Sequence, residues 1–277
     1  MRNVTLDDGT VIRPLATHAE RADAVRLQEA TWGVGFSEKI PAAMLLVADK
    51  TGGVAAGAFA PDGTLLGLIF GVTGVREGEL IHWSDILAVR AAAQGRGLGE
   101  ALKRYQRDRC RQIGVQRMFW TFDPFVARNA HLNLNVLGAR IAEFVPDMYG
   151  TETNSPVHGS LGTDRFVAVW PVQVDPTPLP DSPELLAGAP VVGGPPAIVG
   201  SEAALPEHDR VVVRVPHDYA AVLAGDLAVA RAWRASARRA FRHYLSASYE
   251  VSAFVPGGGS DATYLLSRTR TPQSDAR

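Results

Sequence analysis

Six consecutive residues, Gln94-Gly95-Arg96-Gly97-Leu98-Gly99, have the types and spacing best suited to chemistry in this chain. Glycines at alternate positions let a backbone turn tightly and come close to a ligand. They stand between an apolar run ending Leu87-Ala88-Val89 and a stretch in which Leu98, Ala101, Leu102, Tyr105, Cys110 and Ile113 follow a helical stripe. Lys103, Arg104, Arg107, Arg109 and Arg111 make much of the rest of that helix basic. The opening amides of a helix have no partner inside it, and the helix dipole adds partial positive charge there. Strand, glycine loop and helix start together form a cradle for an anion such as a pyrophosphate. No Lys-Ser/Thr pair follows the glycines, which excludes a Walker-type loop, and the spacing is not that of the dinucleotide fingerprint. Taken alone, the glycines also fit an ordinary loop in which Gly permits close packing.

The elements that must position this loop can be read in order. Val4 to Leu15 reads as a strand with a turn at Asp8-Gly9. Thr17 and Glu20 have capping-box spacing and open a helix running to about Thr31. Ile40 to Ala48 is a loop or short helix, and the bland role of Trp32 and Phe36 before it is core. Val54 to Phe59 and Leu65 to Thr73 pair across Pro61-Asp62-Gly63, and Glu79 to Val89 follows the turn at Glu77-Gly78. Past the glycine loop and its helix come a strand Met118 to Phe122, a helix Asn129 to Leu137 closed by Gly138, and strands Ala139 to Val145 and Arg165 to Val172.

From Pro171 to Pro206 the composition changes, because nine of the chain's 18 prolines lie there, and an extended connector is expected. Structure should return as a strand at Arg210 to Val215, a helix at Asp226 to Ser246, and strands at Tyr249 to Val255 and Thr263 to Ser267 around Gly257-Gly258-Gly259-Ser260. Arg231, Arg234, Arg238, Arg239, Arg242 and His243 read as a solvated helix face.

The 277 residues are 46% hydrophobic, which suffices for a full core, and the net charge of −1 argues against a nucleic-acid partner. One cysteine, Cys110, excludes an internal disulfide, fits a reducing compartment and reads as core filler. Met1 to Leu15 lacks the apolar core of a signal peptide, and no run of about 18 apolar residues exists. A cytoplasmic protein with no membrane partner is expected.

Gln94-x-x-Gly97-x-Gly99, placed five residues past Val89, resembles the acyl-coenzyme A signature of the GNAT (Gcn5-related N-acetyltransferase) acyltransferases, Gln/Arg-x-x-Gly-x-Gly/Ala. A proline common two residues after the valine is Ala91 here. The element order over residues 1–172 is similar to the GNAT fold, and Asn129 with the helix ending Leu137-Gly138 resembles that family's second motif. Trp120-Thr-Phe-Asp-Pro124, Arg128-Asn-Ala-His131, Leu132-Asn-Leu-Asn135, Met148-Tyr-Gly150, Thr163-Asp-Arg-Phe166, Ala232-Trp-Arg234 and Arg239-Ala-Phe241 resemble a subgroup of large bacterial predicted acetyltransferases.

The resemblance implies an α+β class: a GNAT fold, with a mixed and mostly antiparallel sheet flanked by helices, plus a smaller C-terminal α/β extension. It implies a GNAT domain over 1–172, and composition and element pattern add a linker over 173–206, the extension over 207–268 and a tail over 269–277. It implies that the amides of Gly95, Arg96, Gly97, Leu98 and Gly99 hold a pyrophosphate, that Gln94 belongs to the same cofactor loop, that Leu87, Ala88 and Val89 pair with a pantetheine arm, and that Asn129 joins the cofactor site. The co-substrate is then an acyl-CoA, acetyl-CoA or succinyl-CoA, with no metal.

Acyl transfer to an amine needs a base, an oxyanion donor such as an amide freed by a strand bulge, and an exit for the thiolate. By the family's spacing the base positions are Asp85 and Trp83, where the subgroup has His-x-His. Asp85 is the first base candidate, although an ordinary carboxylate is a weak base unless burial raises its pKa. His82 points to the opposite strand face and reads as a satisfied strand histidine. The usual acid position, a Tyr, is Leu134, which leaves Tyr149 as candidate acid. The resemblance also implies Trp83, Asp123 and His131 as candidate acceptor contacts, and Arg165 as a contact to the acceptor or to a carboxylate of the acyl group. Their bland alternatives are a strand-end cap for Asp123, a helix N-terminal residue for His131 and a structural Asp–Arg pair for Arg165.

The expected function is N-acyl transfer from acyl-CoA to a small amine, amino acids included, by direct attack in a ternary complex. An acyl carrier protein and a second copy of the chain are further candidate partners. The rival readings are other thioester chemistry on the same fold, such as decarboxylation, and a non-catalytic scaffold.

Overall fold

The computed structural model describes residues 3–150, 161–194, 204–257 and 261–269. The expected turn at 257–260 lies in large part, and the expected tail almost wholly, outside the described residues. The chain packs as two compact units, one made of Met1–Thr121, Tyr149–Gly162 and Val169–Pro176, the other of Phe122–Met148, Thr163–Ala168 and Thr177–Arg277. Residues 122–148 and 163–168 therefore pack with the C-terminal part of the chain.

In the first unit, the strand expected at Val4 to Leu15 is two short ones, β1 (Val4–Thr5) and β2 (Val11–Pro14), folded back on each other. Helix α1 (His18–Trp32) begins at the expected capping box: Thr17 Oγ1 accepts from the Glu20 amide at 3.1 Å, and Glu20 accepts from the Thr17 amide. Helix α2 (Ala42–Lys50) fills the stretch where a loop or short helix was open. Strands β3 (Val54–Phe59), β4 (Leu65–Arg76) and β5 (Glu79–Val89) form an antiparallel meander. Helix α3 (Leu98–Gln112) then leads to β6 (Arg117–Phe122), which runs parallel to β5. Strand order within the unit is β1-β2-β3-β4-β5-β6.

Leu15, Ala24, Leu27, Leu45, Ala48, Leu68, Phe70, Ile86 and Ala88 make one core under α1 and α2, with Trp32, Phe36 and Ile40 packed against it. The bland role expected for those aromatics is the one found.

The second unit holds α4 (Ala127–Ala130), which continues as π-helix from His131 to Val136, and then β7 (Arg140–Val145) and β8 (Arg165–Pro171), whose last residues belong to the first unit. The segment expected as an extended connector carries a 3₁₀ turn at Pro183–Leu186 and a short strand, β9 (Val191–Gly193). Strand β9 pairs in parallel with β10 (Arg210–Val215), so backbone pairing overrides the local Pro and Gly content. After α5 (Tyr219–Gly225) and α6 (Leu227–Ser246) come β11 (Tyr249–Val255) and β12 (Ala262–Arg268). They complete a four-stranded sheet in the order β11-β12-β10-β9. Ala237, Ala240 and Phe241 of α6 are fully buried, and Phe241, Phe166 and Tyr264 pack edge to face within 5.5 Å. Among the described residues no helix is long and apolar enough to cross a membrane.

Candidate active site

Strand β5 has two partners over its first half and one over its second. Its parallel register with β6 runs Ile81–Arg117, His82–Met118 and Trp83–Phe119, and ends there. Among the described residues, β5 from Ser84 to Val89 is paired with β4 alone. Strand backbone carries a donor and an acceptor at every residue, so this free edge can take an added extended chain.

The divergence coincides with a bulge. Phe70 of β4 pairs with Ile86 and Gly71 with Ser84, which leaves Asp85 as the extra residue. An extra residue switches the phase of a strand. Before it, His82 and Ser84 face α3, where Gln106 and Lys103 meet them. After it, Ile86 and Ala88 enter the core under α1 and α2. The crossing is crowded at Gly71: a Cβ there would stand 2.3 Å from His82 Nε2 and 2.5 Å from the Trp83 carbonyl oxygen.

Asp85 projects to solvent at the bulge. The protein around it still pushes its carboxyl above the ordinary carboxylate value, by desolvation first and then by the charge of Glu38. Trp83 is half-buried and stacks on Phe119 with ring centroids 6.4 Å apart. His82 is fully buried, with Nδ1 2.9 Å from Thr73 Oγ1 and Nε2 3.0 Å from Gln106 Nε2. Burial, followed by the charge of Lys103, holds its pKa down at about 3, so it is a neutral structural histidine, as expected.

Beyond Val89 the chain makes a 3₁₀ turn, Ala91–Ala93, and Gln94 turns its side-chain amide back to donate to the Val89 carbonyl at 3.0 Å. Gly95 and Gly97 have φ of +77° and +74°, which side chains other than glycine rarely adopt, and a Cβ at either would meet nothing within 4 Å. The need for glycine here is conformational, and the space over the loop is open. Gly97 is the N-cap of α3 and offers no capping side chain, so the first amides of the helix are left to an outside acceptor. Arg96 pairs with Asp8.

Tyr149 also belongs to the first unit, and its hydroxyl lies 3.0 Å from Thr121 Oγ1. Trp83, Asp85, Leu87, Ala88, Val89 and Gln94 to Gly99 thus follow one another along a single strand edge into a single helix start.

Asp123, Asn129, His131 and Arg165 lie in the second unit. Asp123 accepts from the Phe125 amide at 2.9 Å, the strand-end cap foreseen as its bland role, and from Arg234 at 2.9 Å. Arg165 is buried, donates to the Asp164 carbonyl at 2.9 Å and stands 3.8 Å from Asp123. Arg238 binds Asp147 and Asp164 at 2.8 and 2.6 Å. Among the described residues, three carboxylates and three guanidiniums join in one network, with Arg234 and Asp164 3.8 Å apart. Burial pulls the Arg234 guanidinium down, but Asp123 and then Tyr219 hold it above its ordinary value. The solvated face expected on α6 is corrected at Arg234 and Arg238: both serve this network, because the buried Asp164 and the half-buried Asp123 need cationic partners. His131 Nδ1 lies 3.2 Å from Asn135 Oδ1, and the Asn129 amide donates to the Val126 carbonyl at 2.9 Å.

Sequence reasoning missed Lys103, Ser84 and Gln106. Lys103 was assigned to the basic side of α3 but is 3% exposed. Its Nζ donates to Ser84 Oγ at 2.8 Å and lies 3.9 Å from the Trp120 ring centroid. Desolvation holds its pKa down at about 7. The one available signal is its spacing, seven residues and so two helical turns before Cys110 on the apolar stripe. Cys110 is buried as expected, and burial pushes its thiol up to about 12, which removes it as a nucleophile.

No protein-family model matches the chain, and no curated protein does. Several solved structures are similar to it. One is the ribosomal-protein-S18-alanine N-acetyltransferase from Escherichia coli, at 16% identity over 60% of this chain and 95% of that one, with a TM-score of 0.44. Another is an acetyltransferase of the GNAT family from Streptococcus pneumoniae, at 16% identity over 58% and 98%, with a TM-score of 0.46. A third is a GNAT-superfamily phosphinothricin acetyltransferase from Sinorhizobium meliloti in complex with acetyl-CoA, at 16% identity over 58% and 88%, with a TM-score of 0.46. Acetyltransferases, two of them described as GNAT proteins, are thus what this chain is similar to.

Proposed function

We propose that this protein is an acyl-CoA-dependent N-acyltransferase of the GNAT type, acting on a small amine, with amino acids among its acceptors. The observation that carries the reading is the free edge of β5 from Ser84 to Val89, which leads directly into the uncapped start of α3 at Gly97. One ligand has a matching shape: a pyrophosphate joined to an extended chain of amides that ends in a thioester.

In this reading the amides of Gly95 to Gly99 take the pyrophosphate, and the helix dipole favours its charge. The pantetheine arm pairs with Leu87 to Val89 as an added strand. The thioester carbonyl then comes to the bulge at Asp85, where strand amides can donate to an oxyanion. The neutral amine nitrogen attacks the carbonyl carbon and forms the C–N bond. The tetrahedral adduct collapses, the C–S bond breaks, and the electron pair leaves on sulfur. Asp85 takes a proton from the amine, and its raised pKa makes it a stronger base than an ordinary carboxylate. Tyr149 returns a proton to the thiolate. Trp83, stacked on Phe119, forms an apolar wall for the acceptor. Asp123 and Arg165 act as structural members of the ion network, and Asn129 and His131 as helix residues with local bonds.

Thiol release from acetyl-CoA and succinyl-CoA across a panel of amines tests this. Asp85→Ala and Tyr149→Phe should each lower turnover by about 100-fold, at the low end of general acid–base effects. If neither lowers it, both assignments are wrong.

A further inference from the structure

Lys103 is a charged residue in a place that an apolar one would fill at less cost. It is 3% exposed, and among the described residues no carboxylate pairs with it. Its polar contacts are Ser84 Oγ at 2.8 Å and the face of Trp120 at 3.9 Å. The titratable groups whose charge it feels are His82 on β5 and Cys110 on its own helix. One turn further along α3, buried Gln106 meets His82 at 3.0 Å. Residues three apart on a helix share a face, as do residues two apart on a strand. Lys103 and Gln106 thus match Ser84 and His82 as two polar rungs between α3 and β5. The Lys103–Ser84 rung falls on the residue just before the bulge, one position past the last β5–β6 pair.

We propose that Lys103 is a positioning residue: through Ser84 it fixes the bulge at Asp85 and the free edge of β5 relative to the anion-binding start of its own helix. The inference rests on the acyl-CoA reading above. Under that reading α3 holds one end of the ligand at Gly97 and, through Lys103, sets the strand that receives the other end. A buried polar contact that contributes little stability can still specify a register.

The test compares acetyl-CoA with 3′-phosphoadenosine 5′-diphosphate, which has the nucleotide and its pyrophosphate but no pantetheine, by titration calorimetry on the whole chain. In Lys103→Met and in Ser84→Ala, acetyl-CoA affinity should fall about tenfold while the diphosphate affinity stays within about twofold, a selective loss equal to about 1.4 kcal/mol. The double variant should be no worse than either single one, because both remove the same rung. Lys103→Gln, which keeps a donor, should recover part of the loss. Should Lys103→Met fail to fold, Ser84→Ala carries the same expectation. The proposal is overturned if both single variants keep the wild-type affinity ratio, or if both ligands weaken equally. Failure of the wild type to bind acetyl-CoA would instead overturn the acyl-CoA reading itself.

Discussion

Replacing Lys103 with Met should make the protein more stable at pH 6 and less stable at pH 10. Burial lowers the Lys103 pKa from the ordinary 10.5 to about 7. The unfolded chain therefore takes up this proton well before the folded one does. The stability contributed by this group is intact above pH 10.5, falls by about 1.4 kcal/mol per pH unit as pH drops, and stops falling below pH 7. The penalty is about 5 kcal/mol at pH 6 and about 1 kcal/mol at pH 10. Methionine has no such penalty and fills a similar volume. At pH 10 the folded amine is neutral and has no cation–π contact to lose; methionine leaves the Ser84 hydroxyl without its donor, about 1–3 kcal/mol. The variant should thus gain about 2–4 kcal/mol at pH 6 and lose up to about 2 kcal/mol at pH 10. Urea denaturation of both proteins at the two pH values measures this. Other titrating groups cancel in the difference between proteins, and the shift of that difference should be about 4 kcal/mol. A shift below about 1 kcal/mol would refute the reasoning, because Lys103 would then titrate alike in the folded and unfolded chains.

Gly97→Val must force a β-branched residue to a φ of +74° and should weaken acetyl-CoA binding at least tenfold by calorimetry. Gly63→Ala, strained alike at +87° in the turn between β3 and β4, should lose stability but leave that binding unchanged. In the second unit, Asp123→Asn leaves the buried Arg234 guanidinium short of a charge and should destabilise by about 3–5 kcal/mol in urea, against under 1 kcal/mol if the network is ornamental.

Much of the first unit was legible because its signals are local. The Thr17–Glu20 box, the Pro61-Asp62-Gly63 turn and the Gly97 helix start each follow from one residue's conformational demands. Four features were not legible, and each depends on partners distant in sequence. The end of β5–β6 pairing at Trp83 is a property of two strands joined through a helix. The bulge at Asp85 appears only against Phe70 and Gly71. Asp123 and Arg234 meet across 111 positions, so a helix rich in arginine looks solvated until its partners are known. Lys103 and Arg107 were placed outside by charge alone, yet both are buried, Arg107 against the Pro171 carbonyl and the Trp170 ring. His82 is the buried, neutral strand histidine expected of it, whereas alternation along the strand breaks at the Asp85 bulge.

Titration calorimetry of the purified protein with acetyl-CoA, succinyl-CoA and CoA tests the central claim most directly. The free edge of β5 and the uncapped start of α3 predict micromolar binding of at least one of the three, and the preferred acyl group then narrows the search for the amine. Absence of binding by all three would contradict the account and direct the search to carrier-protein thioesters and to roles without catalysis.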